Sequence, residues 1–73
     1  MNNVIAITQH PRAKAQGTAV CVALRATRHG HSPNAAADYA ARARTMVLMG
    51  HSPARAIAAL TDRIRRDAGP AVA

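Results

Sequence analysis

Gly30-His31-Ser32-Pro33 recurs twenty residues on as Gly50-His51-Ser52-Pro53, and these two tetrapeptides decide the fold. Each reads as the end of one helix and the start of the next. Gly closes the outgoing helix, because it alone adopts a left-handed backbone without steric cost. Ser offers a side-chain oxygen to the unpaired N–H groups of the incoming first turn, and Pro lacks the N–H that would go unpaired there. Two such corners predict a mainly α, small helical domain.

The segments between the corners fit that frame. From Pro33 to Met49, Ala36, Tyr39, Ala40, Ala43, Met46 and Val47 share one helical face, with Asn34, Asp38, Arg42 and Thr45 on the other. Asp38 and Arg42 are spaced for an i,i+4 ion pair. A second helix is predicted over 53–68, with Ile57, Leu60 and Ile64 inward and Arg55, Asp62 and Arg66 outward. Gly69-Pro70 ends it, leaving 70–73 as a frayed tail. The twenty-residue similarity, which extends to Ala36 and Ala56, is repeated capping chemistry; two units are too few for a solenoid.

Thr18–Arg28 reads either way. Val20, Val22 and Leu24 alternate as in a strand, while Arg25, Arg28 and His29 fall at helical spacing and Thr18 is a candidate cap. We favour a helix, since Gly30, Gly50 and Gly69 then close three segments by one rule. Before it, Val4-Ile5-Ala6-Ile7-Thr8 is β-prone, and His10-Pro11 followed by polar residues reads as a break and linker. The predicted organisation is a flexible arm over 1–17, a compact helical domain over 18–69 and the tail.

The chain has 73 residues, one domain's worth near the lower limit for unaided folding. Its 49% apolar content includes nineteen Ala, and Tyr39 is the only aromatic residue, so the core must be thin. Nine Arg and one Lys against three Asp and no Glu give a net charge of +7, which favours acidic partners. Arg in place of Lys suits bidentate contact with carboxylate or phosphate. The single Cys21 excludes an internal disulfide and fits a reducing compartment. The sequence contains neither a membrane-length apolar run nor a secretion signal, which points to the cytoplasm.

Chemistry-bearing clusters are weak. His29, His31 and His51 with Cys21 have no familiar zinc spacing, and His31 and His51 have plainer roles beside the Ser caps, so no metal or cofactor is expected. Without Glu, and with Asp62 and Asp67 spaced to pair with Arg66 and Arg63, no catalytic residues are expected. A helix-turn-helix register places His51 and Ala56 where larger apolar residues belong. A ribbon-helix-helix fits better, with a strand at Ala19–Thr27 and Ile57 and Leu60 inward, and implies a dimeric DNA-binding repressor. The lack of Phe and Trp argues against an RNA binder that stacks bases.

Met1-Asn2-Asn3-Val4-Ile5-Ala6-Ile7-Thr8, the chain length and the Arg/Ala-rich body together resemble the small host-RNA-polymerase-binding transcription regulators of lytic Xanthomonas phages. The resemblance implies a phage-encoded inhibitor of host initiation that also promotes read-through of terminators, acting in the host cytoplasm. It assigns no role residue by residue. From charge and the β-prone arm, the expected contacts are Val4, Ile5, Ile7, Arg12, Lys14, Arg42, Arg44, Arg55, Arg63, Arg65 and Arg66. The expected partner is host RNA polymerase, with secondary nucleic-acid contact, no membrane association and a monomeric state. The alternative is the ribbon-helix-helix repressor.

Overall fold

A computed structural model describes residues 11–69, and these form three helices: α1 (Pro11–Arg28), α2 (Pro33–Leu48) and α3 (Pro53–Asp67). Among the described residues there is no strand. The expected β-prone arm at Val4–Thr8 and the tail over 70–73 lie outside them.

Both tetrapeptide corners are built alike. Gly30 and Gly50 have φ of 88° and 109°. At the first corner the His31 N–H donates to the Ala26 carbonyl and the Gly30 N–H to Thr27; at the second, His51 donates to Met46 and Gly50 to Val47. This double closure satisfies carbonyls that the helix end leaves without partners. One residue later Ser32 and Ser52 accept from the Ala35 and Arg55 N–H groups, each at 3.1 Å. Each tetrapeptide thus ends one helix and starts another with no spare residue, and α2 and α3 end one residue short of the predicted boundaries.

The segment left open is a helix, and it begins earlier than expected. Pro11 opens α1, so 11–17, read as flexible linker, is its first two turns. The His10-Pro11 break signals a helix start, because Pro is favoured in a first turn. Ala13, Ala15 and Ala19 supply propensity that outweighs Gly17. Thr18 is no cap: it is buried and donates its hydroxyl to the Lys14 carbonyl at 2.7 Å. Val22 is fully buried, whereas Val20 and Leu24 are 50% and 58% exposed. A strand would put all three on one face; a helix separates them. The strand that a ribbon-helix-helix requires at Ala19–Thr27 is therefore absent.

α1 and α2 form an antiparallel hairpin. Ala26 joins Ala36 and Tyr39 in one core cluster, and Ala15 joins Val47 in the other. α3 packs across the pair and runs back toward the first corner, with Ala56 beside Ala15 and Val47, and Leu60 and Ile64 among Val22, Ala26 and Tyr39. The predicted face of α2 is the buried one, with Met46 only partly covered. On α3 the buried stripe is Ala56, Leu60, Thr61 and Ile64, and Ile57 lies at its edge. Small side chains fill most contact positions, so the backbones approach closely and the core is as thin as composition requires.

Candidate functional site

The best-defined cluster of polar side chains joins the first corner to the end of α3. His31 stacks its edge on Tyr39, with ring centroids 5.1 Å apart and planes at 67°. Its Nε2–H donates to the Ile64 carbonyl at 3.0 Å, which fixes a proton on that nitrogen. The Tyr39 hydroxyl donates to Asp67 Oδ2 at 2.5 Å, and Arg63 Nε stands 3.4 Å from the same oxygen. The bond to the carboxylate, aided by burial, raises the Tyr39 pKa above the usual phenol value. The same bond, with the Arg63 charge, holds Asp67 below the usual carboxylate range. The cluster ties loop, α2 and α3 together.

Beside it a groove of about 400 Å³ follows the α2–α3 seam. Its floor is Met46, Ala59 and Leu60, and Arg42, Arg63 and Arg66 stand around it. Helical periodicity puts Arg42 and Met46 one turn apart on α2, and Arg63 and Arg66 one turn apart on α3. Arg63 is paired with Asp67, and Arg66 with Asp62 at 3.1 Å, as spacing predicts. The Arg66–Asp62 pair is about two-thirds exposed and the Arg63–Asp67 pair 52% and 42% exposed, and such pairs are weak enough for another carboxylate to displace. Asp38 and Arg42 do not close their expected pair, and Arg42 lines the seam groove.

The other expected contact residues do not converge there. Arg44 lines a separate groove between α1 and α2. Lys14 lies beside Val47, His51 and Pro53 at the second corner, with Arg12 in the same first turn of α1. Arg55 and Arg65 are exposed on α3 and line neither the seam nor the α1–α2 groove. Val4, Ile5 and Ile7 lie outside the described residues. The apolar floor of the seam escaped the sequence reading, since Met46 and Leu60 read simply as core positions. Which arginines meet across two helices depends on how α3 slides on α2, and spacing within either helix carries no trace of that register.

His31 and His51 sit at opposite ends of α2, about 24 Å apart for its sixteen residues, too far to share an ion. Among the described residues, no group of three or more His, Cys, Asp or Glu side chains is placed to hold a metal. Cys21 is half-buried in mid-α1, and His29 is exposed beyond its end. No described helix is long and apolar enough to cross a membrane.

No protein-family model matches this chain, and no curated protein or solved structure matches it either. The described residues define the class as a small, basic helical domain, with three helices among them and an arginine-lined groove.

Proposed function

We propose that this chain is a binding module that docks on an acidic protein surface through the α2–α3 seam, acting as a transcription regulator on bacterial RNA polymerase. The observation that carries the docking mode is the pairing of Arg42, Arg63 and Arg66 with an apolar floor of Met46 and Leu60. A nucleic-acid backbone offers phosphates to the arginines but nothing to desolvate against the floor, whereas an acidic protein segment supplies both carboxylates and apolar side chains. The polymerase as partner, and inhibition of initiation with read-through of terminators as the outcome, rest on the sequence resemblance. Regulation would follow from binding energy alone, by competition for a polymerase surface or by a shift in its conformation.

The test is an affinity pull-down from nuclease-treated bacterial lysate, comparing the intact chain with Arg42→Glu. Stoichiometric polymerase subunits on the wild-type chain, depleted on the variant, support the reading. Polymerase that is absent, or retained only while nucleic acid remains, overturns it.

A further inference from the structure

The side of the α1–α2 hairpin turned away from α3 carries a second groove, and its chemistry differs from that of the seam. It is an open groove of about 340 Å³, lined by the small residues Ala19, Ala23, Ala37 and Ala40. Val20 walls it and Leu24 continues the wall one turn on, 50% and 58% exposed. Gln16 and Arg44 are the polar residues at its rim. Helical periodicity puts Leu48, 51% exposed, on the same side of α2 as Ala37 and Arg44. Three of the four large apolar side chains exposed among the described residues therefore lie along one face.

α1 exposes large apolar side chains, Val20 and Leu24, on the side turned away from the core. Its inner side is core, yet from Ala15 to Leu24 no residue on any side is charged. Large apolar side chains grouped on one exposed face mark a surface that a partner covers. The charges of α1 stand at its two ends, Arg12 and Lys14 at one and Arg25 and Arg28 at the other, and it contains no acidic residue. Asp38, Asp62 and Asp67 all lie on α2 and α3, and none lines this groove.

That charge pattern selects the occupant. A second copy laid on this face would set cations against cations whichever way it ran, and each chain carries +7. We propose that the outer groove of the α1–α2 hairpin is a docking site for an acidic amphipathic helix of a partner protein. The helix presents apolar side chains at three- and four-residue spacing to Val20, Leu24 and the alanine floor, and places carboxylates near Arg44 and the exposed Arg25 and Arg28 in the last turn of α1. It completes a four-helix arrangement in which the hairpin is covered on both sides, a known mode of peptide capture. The proposal stands independently of the seam, which is a different surface with a different partner-facing set of residues.

The test uses the full ¹⁵N-labelled chain and a synthetic helical peptide of about fourteen residues, four turns, with Leu at three- and four-residue spacing and Glu elsewhere. A counterpart with Lys for every Glu is the control. Saturable amide shifts are expected over Gln16–Leu24 and Ala37–Arg44 with the acidic peptide only, weakening as salt rises. Leu24→Asp and Arg44→Glu, both at exposed positions, are each expected to weaken binding by about tenfold or more, with helical circular dichroism retained. Arg55→Glu, exposed on α3 and lining neither groove, is expected to leave it unchanged. Shifts confined to the α2–α3 seam, or affinity indifferent to both outer-face variants, overturn the proposal. So does sedimentation of the wild-type chain as a dimer that Leu24→Asp dissolves, since a second copy then covers the face.

Discussion

Tyr39 is where this thin core gains specificity. It is the one aromatic residue in the sequence, it fills the space between the first corner and α3, and its hydroxyl reaches Asp67. The linked shifts make stability depend on pH at both extremes. Asp67 has a folded pKa below its unfolded value, so its contribution is present above about pH 4 and is lost as pH falls through the folded pKa. Tyr39 has a folded pKa above its unfolded value, so its contribution is complete below about pH 10 and is lost as pH rises through the folded pKa. Tyr39→Phe is expected to lower the melting temperature at neutral pH and to flatten both limbs, with Arg63 preserving part of the acid one. Urea melts from pH 2 to 11 check this, and superimposable profiles for the two proteins would contradict it. His31 reports on the same cluster: His31→Ala leaves the Ile64 carbonyl with only its Ala68 N–H partner and removes the edge contact to Tyr39. It is expected to destabilise the fold more than His51→Ala, whose side chain is exposed.

Elements divide by how local their causes are. The corners were legible because every cause lies within four residues: a glycine needing positive φ, a serine oxygen and a proline without an N–H. α1 was harder to read for two reasons. Val20, Val22 and Leu24 imitate a period of two, and Gly17 with its polar neighbours imitates a linker. Only the third dimension shows Val22 buried and its neighbours out, the helical outcome. This contrast predicts opposite effects for two glycines. Gly17 is mid-helix with nothing within 4 Å of an added Cβ, so Gly17→Ala is expected to stabilise by about 0.5–1 kcal/mol. Gly50 has equal space but a φ of 109°, so Gly50→Ala is expected to cost about 1–2 kcal/mol through backbone strain alone. Thermal melts that move the same way for both would contradict the assigned start of α1 or the corner geometry. Ser52→Ala is expected to cost about 1 kcal/mol, as is usual for a lost helix cap.

At the scale of the molecule, a narrow core supports a wide charged surface. Ile64 and Val22 are the largest side chains buried completely, so stability concentrates in few residues. Ile64→Ala is expected to cost about 2–5 kcal/mol, a large share of what a domain this size possesses, and to leave the chain mostly unfolded at 37 °C by circular dichroism. Of the candidate site, charge and residue type were legible but assembly was not. Arg42 sits 21 and 24 positions before Arg63 and Arg66, and the packing of Leu60 and Ile64 against α2 sets that register. Arg44 and Lys14, grouped with them by charge, face other grooves. We propose that the seam docks on an acidic surface of RNA polymerase. The most direct measurement is a titration of purified bacterial RNA polymerase, free of nucleic acid, with the intact chain and with Arg42→Glu. Saturable one-to-one binding is expected, weakening with salt and falling about tenfold or more in the variant. Equal affinity for the two proteins, or no binding without nucleic acid, would contradict it.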